Sequence, residues 1–204
     1  MPFFGWGVNS TVICTHIFLI ILKIFLTFSF LLFLIPAFSQ GLYRIENGVK
    51  YDNSRVQPFM QSLNSRNDFV LAFRTYFPGE GASESKYFIL TGKGEQLKAY
   101  SYFGAKDILT DLNLSPHSLD QIWKTFQQNS LLTIRDEKDI PNFCAKKYDI
   151  YESYTYEFTI LSRGYMKVLS YYSPEYYIDA CYGISERQNI INSVAIINLL
   201  AQEY

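Results

Sequence analysis

Residues 154–172 show the clearest alternation of apolar and polar positions in the chain. The segment is mostly aromatic or β-branched and breaks once, at Leu161–Gly164, where Gly164 permits the positive φ of a tight turn. Side chains of a strand alternate between two faces. One face of the first arm carries Tyr154, Tyr156, Phe158 and Ile160. The pattern predicts a β-hairpin that packs one face against a larger sheet or a helix.

Three further segments share the period of two and are separated by turn residues. Phe69–Phe77 is stopped by Pro78, and Lys86–Thr91 is joined to Gln96–Phe103 across a glycine-containing turn at 92–94. Such runs, bounded by glycine and proline, predict a meander of antiparallel strands.

Shorter segments are predicted from local signals. Tyr43–Ile45 is expected to be a short strand before an Asn47-Gly48 turn. Leu131–Ile134 is expected to be a short strand or a buried connector, followed by a charged loop at 135–142. Residues 173–177 contain proline after serine and are expected to form a turn.

Three segments have the helical spacing of apolar residues. Val56, Phe59, Met60 and Leu63 lie at i, i+3, i+4 and i+7. Helices are also predicted at 116–129, after the Ser115 cap, and at 186–202. Together the elements predict an α+β fold: an antiparallel sheet of roughly five to six strands, two or three packed helices, and one disulfide.

The first 39 residues differ from the rest of the chain. They contain no Asp or Glu and one Lys, Lys23. The run Ile17–Pro36 is long enough to cross a bilayer. A lysine before an apolar run, with Ala37 and Ser39 placed before Gln40, is typical of a cleaved signal peptide.

We therefore predict a signal peptide at residues 1–39 and a single α+β domain at 40–204. Residues 1–21 fit an over-extended start. The alternative is a membrane anchor at 17–36. The expected localisation is exported, either periplasmic or extracellular, with anchoring as the alternative.

Charge and cysteine content narrow the classes of partner. Residues 40–204 contain 17 Lys and Arg (18 less Lys23) against 19 Asp and Glu, a net charge of −2 without a basic run. This argues against nucleic acid as a partner, and against a membrane as a partner after leader cleavage.

Cys144 and Cys181 are an even pair in a chain predicted to be exported, so a disulfide is the expected state. The alternatives are a metal site or a reactive thiol.

Catalytic signatures are absent from the sequence. His117 is the one histidine of residues 40–204 and lies in the first turn of a predicted helix. The sequence contains no G-x-S-x-G nucleophile elbow, no zinc-binding H-E-x-x-H motif, no P-loop and no dinucleotide-binding fingerprint. We predict no catalytic residue, no cofactor and no metal site. The acidic residues available for glycoside chemistry are Glu80, Glu84, Glu157 and Glu175.

A tyrosine-rich stretch after the hairpin is the most suggestive surface feature. Tyrosine offers contact area at low entropic cost together with a hydroxyl, and is favoured at recognition surfaces. The alternative is that several of these rings cover the core. The candidate binding residues are Tyr171, Tyr172, Glu175, Tyr176 and Tyr177.

The chain resembles small exported proteins of unknown function from Bacteroidota. The resemblance rests on PAFSQ at 36–40 and on the pattern of residues 119–200, which includes YEFTI, YMKVLSYYSPEYY and SERQNIINSVAIINLL. It implies compartment and class, but no mechanism.

The leading functional hypothesis is an exported, non-catalytic binding or envelope interaction module with a protein or glycan partner in the cell envelope. One alternative is a hydrolase that uses acidic residues on an open sheet face. Another is an inhibitor of a secreted enzyme, which would insert the 78–85 loop or the 173–177 turn.

Overall fold

The computed structural model describes most of the chain from residue 43 onward. The described residues are Lys23, 43–52, Ser54, 56–79, Gly81, 85–140, 153–180 and 185–201. The strands and helices given below lie in the second of two compact units, Tyr43–Tyr204.

Seven strands form one antiparallel sheet in the order β1-β7-β6-β2-β3-β4-β5. They are β1 (Val49–Lys50), β2 (Phe69–Tyr76), β3 (Lys86–Lys93), β4 (Gln96–Phe103), β5 (Ile108–Asp111), β6 (Thr155–Ser162) and β7 (Tyr165–Tyr172). The predicted meander is β2-β3-β4, and the predicted hairpin is β6-β7. The hairpin joins the meander through β6, which pairs with β2 along its whole length.

Four α-helices and two short 3-10 helices complete the described fold. The α-helices are α1 (Pro58–Asn64), α2 (Pro116–Gln128), α3 (Pro174–Ala180) and α4 (Ser185–Ala201), and the 3-10 helices are Gly104–Lys106 and Glu137–Asp139. α2 begins as predicted, because the Ser115 side chain accepts a hydrogen bond from the N–H of Ser118 and Pro116 takes the first helical position. The α+β class is confirmed.

One face of the sheet carries the aromatic core. Phe69 of β2 stacks on Tyr43 at 5.0 Å between ring centroids, and Trp123 of α2 meets both rings edge-on. Phe126 packs against Phe158 of β6 in the same way. α4 contacts α2 and α3, and its buried residues include Ile190, Val194 and Ile197. Helices thus cover this face of the sheet, as the apolar face of the hairpin requires.

The close packing of Tyr43 depends on a glycine. A Cβ atom on Gly92 of β3 would lie 2.5 Å from the Cζ and Oη atoms of Tyr43. The ring therefore crosses the strand where there is no side chain, and its hydroxyl donates to Gly94 O at 2.7 Å. Burial is the main cause that raises the pKa of Tyr43, so the hydroxyl stays protonated.

The other face of the sheet is covered in part by α1. A cluster of buried residues forms this second layer: Val56, Met60, Val70, Ala72, Tyr87, Ile89 and Leu161. Phe59 adds a stacked contact with Tyr102 at 4.0 Å. The apolar spacing that predicted α1 is the spacing of the residues that face this cluster.

Three elements differ from the sequence predictions. The short strand predicted at Tyr43–Ile45 is wrong, since the strand forms at Val49–Lys50, after the Asn47-Gly48 turn. β5 was not predicted, because all of its residues are exposed and show no alternation of apolar positions. Residues 173–177 belong largely to α3, where Pro174 occupies the first helical position.

The predicted numbers of strands and helices change accordingly, to seven strands instead of five or six and four helices instead of two or three. The predicted connector after α2 is a buried turn at Leu131–Ile134. The predicted disulfide falls on Cys144 and Cys181, which lie outside the described residues.

Candidate functional site

The outer edge of β7 meets the segment that follows α2. Neighbouring residues of a strand send their N–H and C=O groups to opposite edges, so every second residue of β7 faces outward. The N–H of Ser170 donates to Asp136 Oδ1 at 2.8 Å. The N–H of Tyr172 donates to Glu137 Oε2, also at 2.8 Å. Val168 belongs to the same alternate set, so its N–H and C=O face this edge.

The partner strand at this edge ends before it reaches Val168. β1 pairs Val49 with Met166 and continues away from Val168. The residue that would come opposite Val168, Asn47, has a positive φ of 58°, which turns the chain off the edge. Among the described residues, nothing pairs with the main chain of Val168. Its N–H and C=O therefore remain open between the end of β1 and the two carboxylates.

A cavity of about 500 Å³ lies at this opening. We call it the edge pocket. It is lined by Asn47, Val49, Ile134, Arg135, Asp136, Lys138, Asp139, Met166, Lys167 and Val168. Its lining combines apolar side chains with charged ones and with open main-chain groups, which is the usual make-up of a binding site.

Lys167 is the least expected residue of the edge pocket. It projects from the helix-covered side of β7, it is 5% exposed, and its Nζ donates to Leu132 O at 3.0 Å. The same carbonyl accepts from Glu46 N–H at 3.0 Å. Burial lowers the pKa of Lys167 to about 8, against the opposing effect of the Glu46 and Asp136 carboxylates.

Arg74 and Arg187 are also largely buried cations, and each has a carboxylate at ion-pair distance. Lys167 has none among the described residues. Arg74 Nε lies 2.8 Å from Glu157 Oε1. Arg187 Nη2 lies 3.0 Å from Glu137 Oε1. A buried charge costs free energy unless it is paired and hydrogen-bonded. Among the described residues the Lys167 ammonium makes one hydrogen bond, which leaves further N–H donors for another group.

Two residues of the predicted tyrosine surface are tied to the core. Tyr171 is completely buried, and its hydroxyl donates to Arg135 O. Tyr172 is half-buried, and its hydroxyl accepts from Ser153 N–H at 3.2 Å. The first of these rings thus packs inside the domain, which is the alternative considered from the sequence.

Glu175 is held by two tyrosines, Tyr154 just before β6 and Tyr156 within it. Tyr154 Oη donates to Glu175 Oε2 at 2.6 Å, and Tyr156 Oη donates to Oε1 at 2.9 Å. Burial, followed by the Glu175 carboxylate, raises the pKa of Tyr154 to about 12, and the same causes raise the pKa of Tyr156. Both hydroxyls therefore remain donors, and this carboxylate fastens the start of α3 to the hairpin.

The last two residues of the predicted surface lie on α3. Tyr176 is 40% exposed and meets Tyr177 edge-on at 5.6 Å between centroids. The guanidinium of Arg187 lies over the Tyr177 ring at 5.1 Å. Of the five predicted residues, Tyr176 is therefore the most exposed to solvent.

The described residues also bear on metal sites and membrane spans. Within the described ranges, no group of three or more His, Cys, Asp and Glu side chains is placed to hold a metal ion. Over the same ranges, no helix combines the length and apolar character needed to span a bilayer. His117 is exposed in the first turn of α2.

The edge pocket was missed by sequence reasoning. One signal was available, since Lys167 shares a face of β7 with Leu169 and Tyr171, which the structure buries. The carboxylates of Asp136 and Glu137 gave no signal, because they lie in a charged loop that reaches β7 only in the folded chain.

We predict that Lys167→Met changes the pH dependence of stability. The unfolded chain keeps the lysine proton up to about pH 10, whereas the folded chain releases it near pH 8. The wild type therefore gains stability between these values relative to the variant, by up to about 1.4 kcal/mol for each pH unit. Urea unfolding at several pH values from 7 to 10 measures this difference.

The matched control for this prediction is Lys98→Met, which replaces an exposed lysine of β4. The gap in unfolding free energy between wild type and this control should stay constant over the same pH range. A constant gap for Lys167→Met as well would show that its ammonium is not held in the buried position.

Comparisons with known proteins found no relative of this chain. No model of a known protein family matches it, no curated protein matches it, and no solved structure matches it. What the protein binds must therefore be inferred from its own residues, and we take the edge pocket as the candidate site.

Proposed function

We propose that this chain is an exported, non-catalytic binding module, and that it binds an extended peptide segment of a partner protein in the edge pocket. The observation that carries the proposal is the open main chain of Val168 beside a cavity of about 500 Å³. An exposed strand edge is a ready template for another extended chain.

The edge supports a short addition rather than a long one. β1 occupies the edge up to Met166, and the Asp136 carboxylate occupies it from Ser170 onward. One residue of a peptide would fit opposite Val168 and exchange two hydrogen bonds with it, as in a hydrogen-bonded antiparallel pair. Flanking peptide residues would then leave the edge and enter the pocket.

The pocket offers contacts for the peptide side chains. Val168 is 38% exposed, and Val49, Ile134 and Met166 also line the cavity. In strand addition the main-chain bonds supply affinity, and pockets for alternate side chains supply specificity. The edge pocket has both kinds of group.

The alternative functions receive less support. Of the acidic residues available to a hydrolase, Glu157 is paired with Arg74 and Glu175 accepts from two tyrosines. Glu80 and Glu84 lie outside the described residues. An inhibitor would need an inserting loop, and the 173–177 candidate is largely helical.

The export of the chain and its disulfide belong to the same proposal. The apolar leader supports export. Two ion pairs support the disulfide, because Arg135 binds Glu186 at 2.6 Å and Glu137 binds Arg187 at 3.0 Å. These contacts bring the segment before Cys144 against the segment after Cys181. A bond there would contribute about 4 kcal/mol by restricting the unfolded chain.

Mass spectrometry of secreted protein tests the export proposal. We expect a first residue at Gln40 or a near neighbour, and expect both Cys144 and Cys181 to resist alkylation until the protein is reduced. Recovery of the whole leader on membrane-bound protein would favour an anchor at 17–36. Free alkylation without reduction would refute the disulfide.

A test of peptide binding uses Val168→Pro and Val168→Ala. Proline removes the outward N–H without touching the bonds to β6, and alanine keeps the N–H and shortens the side chain. Peptides selected from a random phage-displayed library on the wild type are resynthesised, and their affinities for all three proteins are measured by calorimetry. We expect Val168→Pro to lose about tenfold in affinity, and Val168→Ala to lose less.

A second measurement does not depend on the fold of a variant. Replacing the peptide amides one at a time by esters removes single N–H donors from the ligand. One ester should weaken binding to the wild type, because Val168 C=O then loses its donor. The proposal fails if no peptide is enriched, or if Val168→Pro, shown to be folded by circular dichroism, binds as tightly as the wild type.

A further inference from the structure

The charge inside the edge pocket indicates which peptides it selects. We infer that the bound peptide carries a carboxylate close to the residue that pairs with Val168, and that the Lys167 ammonium is its counterion. This inference rests on the proposed function and adds to it the chemistry of the ligand.

The first support is the position of Lys167. It lines the edge pocket and is adjacent in sequence to Val168, whose main chain would hold the peptide. Its Nζ bonds Leu132 O, two residues before Ile134, which also lines the pocket. Lys167 and the residue that would hold the peptide therefore line the same cavity.

The second support is that no carboxylate among the described residues lies at ion-pair distance from Lys167. Among the described residues, the sheltered guanidiniums of Arg74 and Arg187 each have a carboxylate within 3.0 Å. Lys167 has a single neutral acceptor and is 5% exposed. A ligand carboxylate would supply the missing pair, and charge-assisted hydrogen bonds of this kind are the strong ones.

The third support is the balance of charge around the pocket. Its lining has three cations, Arg135, Lys138 and Lys167, and two carboxylates, Asp136 and Asp139. Arg135 is paired with Glu186, and Lys138 is paired with Asp136. Of the three lining cations, Lys167 is therefore the one without a carboxylate at ion-pair distance among the described residues.

Asp136 does not compensate Lys167 at close range. Its carboxylate accepts from the N–H groups of Ser170 and Glu137 and binds Lys138 Nζ at 3.2 Å. Glu46 acts on Lys167 only through its field, as does Asp136. The acidic neighbours thus support the positive charge of the ammonium without occupying its remaining donors.

A carboxylate can come from a peptide C-terminus or from an Asp or Glu side chain, and the experiment separates the two. Library-selected peptides are synthesised with a free or an amidated C-terminus, and with each Asp or Glu replaced by Asn or Gln. We expect one of these neutral versions to bind the wild type at least about tenfold more weakly than its parent. The version that loses affinity identifies the source.

Lys167→Met assigns the preference to this residue. Methionine has a similar length and no charge, so the acid and neutral peptides should bind this variant within about twofold of each other. In the wild type the affinity for the acid peptide should also fall between pH 7 and pH 9, because the Lys167 ammonium loses its proton in this range. The neutral peptide should show no such fall.

The outcomes distinguish this inference from the proposed function. If acid and neutral peptides bind the wild type equally while Val168→Pro still binds them about tenfold more weakly, the peptide site stands and the carboxylate preference is refuted. If Lys167→Met retains the preference, another cation is the counterion and the inference is overturned. If no peptide binds, both proposals fail.

Discussion

The constraint on which this structure depends is that the outward main-chain groups of β7 need partners. A strand at the edge of a sheet presents a row of N–H and C=O groups to whatever lies beside it. This chain satisfies the row in two ways, with the short strand β1 at one end and with the carboxylates of Asp136 and Glu137 at the other. Val168 lies between the two, and the cavity lies beside Val168. The candidate site is thus the part of the edge that the described residues do not close.

The carboxylates that cover the edge are themselves fixed from a distance. Glu137 accepts from Tyr172 N–H and also binds Arg187 of α4, so one side chain joins the sheet edge to the last helix. Arg135 extends this connection through Glu186. The residue before Val168 makes a third connection, because the Lys167 ammonium binds the carbonyl that also accepts from Glu46. The lining of the pocket therefore comes from segments far apart in the chain, and β7 contributes Met166, Lys167 and Val168 to it.

Much of the fold followed from periodicity. The hairpin was predicted at 154–172 and forms at Thr155–Ser162 and Tyr165–Tyr172, because long alternating segments leave a strong signal. α2 likewise combines a cap, a proline and an amphipathic face. The two-residue strand β1 is too short to show a period, and its place depends on the turn at Asn47.

The site was much less predictable than the fold. The tyrosine surface was proposed from composition, yet Tyr171 is completely buried and Glu175 fastens α3 to the hairpin. Composition does not tell which rings a helix will cover. The open edge at Val168 depends on where β1 leaves the sheet and on the Asp136 carboxylate, which lies 34 residues before Ser170 in the chain. These are tertiary relationships with no local signature, although a lysine on the apolar side of the hairpin was a hint.

The most direct test of the open edge is residue-resolved amide hydrogen exchange of the free protein by NMR. The Ser170 and Tyr172 amides donate to carboxylates, whereas the Val168 amide has no partner among the described residues. We predict that the Val168 amide exchanges at least about a hundredfold faster than either neighbour. Equal protection of the three amides would mean that the edge is closed at Val168, and it would contradict the site on which the proposed function rests.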